Sequence, residues 1–170
     1  MKHLLQVIEV IEVIEVIEVI EVIEVIEVIE VIEVIEVIEV IEMALNDKQL
    51  EFREGLKLRT KQYALRVIKL FQALPKCGEA QVIGKQLLRS ATSVAANYRA
   101  SCRARSSNEF ISKISIVVEE ADESMFWMEL LMEANIVKPE KLSLLYQENE
   151  EIVKIMANMR KKYKTSNRSN

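Results

Sequence analysis

Residues 7–42 are the triplet Val-Ile-Glu written twelve times without an error. Nothing else in the chain restricts its folding so strongly. On an α-helix each residue advances about 100°, so a three-residue unit advances about 300°, and the Glu positions circle the whole circumference instead of leaving a lasting apolar stripe. Two of every three residues are β-branched, and these lose side-chain freedom in a helix while fitting the pleated surface of a sheet. The residue chemistry therefore predicts an extended segment. Side chains along a strand alternate between faces, which puts the Glu at positions 9, 15, 21, 27, 33 and 39 on one face and the other six opposite.

A lone strand leaves its backbone N–H and C=O groups unpaired and its Val and Ile wet. The repeat holds no Gly, Pro, Asn or Asp with which to turn back on itself. Pairing between copies is then favoured over hairpins, and the implied structure is an intermolecular parallel β-barrel or tube, whose closure removes the exposed edges. Its interior would carry rings of Glu whose like charges oppose ionisation and call for water or protons. A three-residue slip restores the sequence but reverses the faces, so the register has to come from the domain that follows. A disordered or fibril-forming tail is the plainer alternative for so β-rich a tract.

Charge divides the chain at the same place. Residues 1–42 carry one Lys and twelve Glu, a net −11, whereas residues 43–170 carry 22 basic and 15 acidic side chains, a net +7. A basic second portion suits a polyanionic partner such as RNA or DNA. The apolar tract is broken by Glu at every third position and reaches no small-residue cleavage site, so neither a signal peptide nor a membrane span is predicted, and a cytoplasmic location is expected. The chemistry of catalysis is not in view. His3 is the only histidine, Cys77 and Cys102 have no second ligand at metal-binding spacing, and Gly55, Gly78 and Gly84 make no phosphate loop. No enzyme activity, metal or cofactor is expected.

After a leader at 1–6 and the repeat at 7–42, periodicity and punctuation predict an antiparallel up-down-up-down four-helix bundle over residues 47–162, with a flexible tail at 163–170. The first helix is placed from Asp47, capped by Asn46 or Asp47, to Leu74, where Pro75 stops it; Leu50, Leu56, Ala64, Val67, Ile68 and Phe71 form its inward face. The second runs from Glu79 to Ala104, with Ile83, Leu87, Ala91, Val94, Tyr98 and Cys102 inward. Ser106-Ser107-Asn108-Glu109 supplies a capping box for the third, which continues to Ala134 along Phe110, Ile114, Val117, Ala121, Met125, Met128 and Leu131. Pro139 opens the fourth. Loops this short join antiparallel neighbours.

On the second helix Lys85, Arg89, Arg99 and Arg103 fall within roughly 80° of one another, a basic stripe, and Arg105 follows in the loop. These five residues are the candidate nucleic-acid contacts, binding phosphates by charge and guanidinium hydrogen bonds. The structural alternative pairs the stripe with Glu119, Glu120, Asp122 and Glu123 of the third helix. The small residues from Ser90 to Ala100 allow a close helix approach, with Asn97 placed to hydrogen-bond across it. Phe126 and Trp127 point about 100° apart, so one serves the core and the other a subunit contact.

Three blocks in order, Ser90-Ala91-Thr92-Ser93-Val94-Ala95-Ala96-Asn97-Tyr98-Arg99-Ala100, Glu109-Phe110-Ile111-Ser112-Lys113-Ile114 and Glu119-Glu120-Ala121-Asp122-Glu123-Ser124-Met125-Phe126-Trp127, resemble the bacterial 23S rRNA intervening-sequence four-helix-bundle proteins. The likeness spans residues 50–162. It implies a cyclic homopentamer and an RNA-associated scaffold, and it does not extend to the Val-Ile-Glu arm. Five first helices in a ring would deliver five parallel repeat strands in matched register. The expected function is therefore a non-enzymatic homo-oligomeric assembly protein, with nucleic-acid binding as the competing reading.

Overall fold

The computed structural model describes residues 2–166, with side chains from residue 24 to 165 and at a few positions before them. Among the described residues there are four helices and no strand: α1 (Lys2–Ala73), α2 (Gly78–Ser101), α3 (Ser107–Glu133) and α4 (Pro139–Ser166). The chain divides into two units, Met1–Glu51 and Phe52–Asn170.

The first unit corrects the expectation of strands. The repeat is helical, and neither Asn46 nor Asp47 begins a helix, because α1 is already running there. A strand needs a partner for every backbone group, and a single chain with no turn residues offers none; a helix closes each N–H onto the carbonyl four residues back within the same segment. Against that, the helical penalty of Val and Ile is only a few tenths of a kcal/mol per residue, and Glu is a good helix former. β-branching was the weaker of the two constraints.

Among its described side chains the repeat has no covered side. Val16, Val19, Val25, Val28, Val31, Val34 and Val37 are each 57–58 % exposed, and Ile20, Ile26, Ile29, Ile32, Ile35 and Ile38 each 48–49 %. That uniformity follows from the triplet, whose Glu row circles the axis once in about 18 residues, or about 27 Å. Two-stranded coiled coils supercoil with pitches of about 140–210 Å, so no partner helix of that kind can follow the apolar band.

In the second unit the buried positions step by four and three residues alternately. On α2 they are Ala80, Gly84, Leu87, Ala91, Val94, Tyr98 and Ser101, with Ser90 buried as well beside Ala91; on α3, Phe110, Ile114, Val117, Ala121, Ser124, Met128 and Leu131. Leu56, Thr60, Tyr63, Val67 and Leu74 continue the rhythm on α1, and Leu142, Leu145, Asn149, Ile152 and Met156 on α4. A mean spacing of 3.5 residues is that of helices packed nearly antiparallel with a slight left-handed supercoil. Cross-helix contacts give the order. The Arg53 guanidinium donates to the Cys102 carbonyl (2.7 Å), the Ser90 and Ser124 hydroxyls are 2.8 Å apart, the Asn149 amide donates to the Ala121 carbonyl (2.6 Å), and Arg59 and Arg66 pair with Glu148. Each helix thus runs against its neighbours in an up-down-up-down ring, as the loop lengths predicted.

The ends are built as the punctuation suggested. Pro75 disfavours helical geometry at Leu74, and α1 stops at Ala73. Ser106 accepts the Glu109 N–H at 3.2 Å, while the Glu109 carboxylate reaches one residue beyond the standard box to the Arg105 N–H at 2.9 Å. Asn135 takes a left-handed conformation (φ 56°), so that its own N–H meets Met132 O and that of Ile136 meets Leu131 O, closing α3. α4 continues past Lys162, and the Tyr163 ring lies 4.3 Å from that of Phe110, so the tail is ordered to Ser166; the remainder of the expected tail lies outside the described residues.

Leu50, expected inside, is 58 % exposed, and Ile68, Phe71, Ile83, Cys102 and Met125 are half-buried. The polar core residues were not anticipated. Thr60 and Ser101 satisfy their hydroxyls on carbonyls of their own helices; Ser124 donates to Glu120 O, and the Ser90 hydroxyl lies within reach of both Ser124 Oγ and Leu87 O. The Tyr63 and Tyr98 hydroxyls and Asn149 Oδ1 have no hydrogen-bond partner among the described residues. Burial pushes the Tyr63 phenol well above its ordinary range, with Ser124 and Arg66 nearby acting the other way.

Candidate nucleic-acid interface

The five predicted contacts do not behave as one stripe. The Arg89 guanidinium sits between two carboxylates of α3, bonded to Glu123 and, at 3.3 Å, to Glu120. The hydrogen bond to Glu123, then the charge of Glu120, raise it further above its ordinary value, and the bond from Arg89, then that from the Trp127 indole N–H (2.9 Å), hold the Glu123 carboxyl below its own. The pairing alternative is therefore realised at Arg89. Trp127 is half-buried and its neighbour Phe126 is 49 % exposed, the division that their angular separation predicted.

Lys85 lies toward the other end of α2 from Arg99, Arg103 and Arg105, and all four side chains are exposed with no ion pair among the described residues. Arg99 lines an open groove of about 400 Å³ between α1 and α2, together with Glu54, Lys57, Leu58, Lys61, Ala95 and Ala96. The small residues of α2 thus form a groove floor. Asn97 does not reach across the helix contact; its amide donates to the Ser93 carbonyl and hydroxyl of its own helix, both at 3.0 Å. Gly84 supplies the close approach instead, since a Cβ there would lie 2.4 Å from Leu74 Cδ1 and 2.9 Å from Phe71 Cδ2.

Sequence reasoning missed the cations that the fold adds. Arg53, Lys57 and Lys61 of α1 lie along the same stretch of the bundle as Arg99 and Arg103. A second groove of about 530 Å³ near the end of α4 is lined by Arg160, Lys161 and Lys164. The signal was available: in an up-down-up-down order the part of α1 just after residue 52 and the ends of α2 and α4 share one end. No helix among the described residues is long and apolar enough to cross a membrane.

An antiparallel four-helix bundle with a heptad-spaced core and a basic outer face defines the class. The 23S rRNA-intervening sequence protein model matches residues 57–158, and the chain belongs to that family. The fold is similar to the crystal structure of a protein of unknown function from the S23 ribosomal protein family of Bacteroides thetaiotaomicron, at 31 % identity and a TM-score of 0.60, over 64 % of this chain and 97 % of that one. A search of curated proteins found no match. The matched residues begin after the Val-Ile-Glu arm.

Proposed function

We propose that this chain is a non-enzymatic assembly protein that acts as a homo-oligomer, with five copies in a ring. The observation that carries the reading is the uniform exposure of Val and Ile around the repeat helix, an apolar surface that the chain does not cover itself. The bundle adds outward-facing Phe126 at 49 %, Val82 at 63 % and Leu144 at 75 % exposure. The fivefold number rests on the family resemblance. The barrel of strands has no counterpart in a helical repeat, so association is assigned to the bundles, which would raise the local concentration of the arms attached to them. Light scattering on the full chain tests this: five chains of 19.6 kDa, about 98 kDa, are expected, and a particle of one chain's mass contradicts it.

A second reading, binding of nucleic acid, is favoured by Arg99, Arg103 and Arg105, whose side chains make no ion pair among the described residues although that of Arg89 meets two carboxylates. Titration of the full chain with a structured RNA at two salt concentrations tests it; no binding at low salt refutes it.

A further inference from the structure

The net positive charge of the bundle is not spread over it. The half made by residues 52–62, 96–116 and 154–166 holds 13 basic and 2 acidic side chains, whereas the half made by 63–95 and 117–153 holds 7 basic and 11 acidic. The contacts between helices place those three stretches at one end: Arg53 on Cys102, and Phe110 on Tyr163.

Ion pairing sharpens the contrast. Arg66, Arg89 and Lys154 meet glutamates of the acidic half or its border, and Arg59 bridges to Glu148 and Glu151. At the basic end, Lys57 meets Glu54, and Lys61, Arg99, Arg103, Arg105 and the cations of α4 beyond Lys154 have no ion pair among the described residues. Gathering like charges at one end of the bundle without counterions destabilises the folded chain. A ligand with closely spaced negative charges removes that penalty, and guanidinium forks match phosphate oxygens in particular.

We infer that this end of the bundle, and not the stripe along α2, is a docking surface for the phosphodiester backbone of nucleic acid. The inference rests on the nucleic-acid reading above and assigns it a place. Arg99, Arg103 and Arg105 supply one side. Arg160, Lys161 and Lys164 supply another; Arg99 lines one open groove and the three α4 cations line a second. Lys85 and Arg89 take no part, the first by position and the second because its charge is matched by Glu120 and Glu123. Contacts of this kind carry no base readout, so RNA and DNA are both bound, with strong salt dependence.

The test uses the full chain and fluorescent 20-base-pair RNA and DNA duplexes, titrated at several salt concentrations. Three variants are compared: Arg99→Ala/Arg103→Ala/Arg105→Ala, Arg160→Ala/Lys161→Ala/Lys164→Ala, and Lys85→Ala/Arg89→Ala. Each of the first two is expected to weaken binding at least tenfold and to lower the salt slope by about 3, near 0.9 per lost phosphate contact. The third should change affinity less than twofold. Circular dichroism confirms the fold of each. Retained affinity in either of the first two variants overturns the inference, and loss in the third alone moves the site back to the α2 stripe while leaving the reading intact. Absence of binding by the unmutated chain overturns both, as does binding of anionic phospholipid vesicles without binding of either duplex.

Discussion

Gly84→Ala should destabilise the bundle, and Leu74 should be the reason. In an exposed helix interior, replacing Gly by Ala stabilises by about 1 kcal/mol through propensity alone. At position 84 the added Cβ would stand 2.4 Å from Leu74 Cδ1 and 2.9 Å from Phe71 Cδ2, where contacting carbons need about 3.5–4.0 Å. Leu74 is 3 % exposed and immediately precedes Pro75, so it has little room to withdraw. Overpacking of this kind costs about 1–3 kcal/mol, which exceeds the propensity gain and leaves a net loss of about 0–2 kcal/mol. Leu74→Ala alone should cost about 2–5 kcal/mol, yet in that background Gly84→Ala becomes neutral or stabilising. Urea unfolding of the four proteins of the cycle at one fixed concentration gives the coupling, expected at about 1–3 kcal/mol. If Gly84→Ala stabilises the unmutated chain by the full propensity gain with coupling near zero, α1 and α2 do not approach as described.

Two further outcomes follow from the polar contacts. Asn149→Asp puts a carboxylate in the seam facing the Ala121 carbonyl; burial raises its folded pKa, so the loss of about 2 kcal/mol or more expected at neutral pH should shrink on acidification, and a pH-independent loss contradicts the placement. Glu123 has its pKa lowered by Arg89 and Trp127, so its contribution is present above the unfolded value of 4.5 and disappears as pH falls through the lower folded value. Because the Trp127 indole donates to that carboxylate, acid titration of tryptophan fluorescence should show a transition with its midpoint below 4.5, absent in Glu123→Gln; an identical transition in the variant refutes the contact.

The bundle was legible wherever apolar residues or punctuation carried the information. Leu87, Val94, Ile114, Val117 and Leu131 mark the seam by spacing, Pro75 and Pro139 bound the helices, and Ser106 with Glu109 announces the start of α3. The polar members of the same seam, Thr60, Tyr63, Ser124 and Asn149, were missed because residue type suggested solvent, and only the 4-3 spacing of their neighbours assigns them inward. Leu50 failed for the opposite reason: it is apolar and in phase, but it belongs to the first unit and is exposed. The candidate surface was half legible. α2 shows its cations in sequence, but the neutralisation of Arg89 depends on where α3 lies, and Arg53 and Arg160 join Arg99 only once helix order is converted into position. At the repeat, side-chain preference and backbone pairing pointed different ways, and the unaided chain follows the backbone.

That last conflict is decided most directly by far-UV circular dichroism of the full chain in dilute buffer. Helices of 72, 24, 27 and 28 residues amount to 151 of 170, so a helical fraction of about nine-tenths is expected. A fraction of about two-thirds with a superimposed strand signal would mean that residues 7–42 are extended after all, and would contradict the account of a repeat held as a helix with its valines and isoleucines left for other molecules to cover.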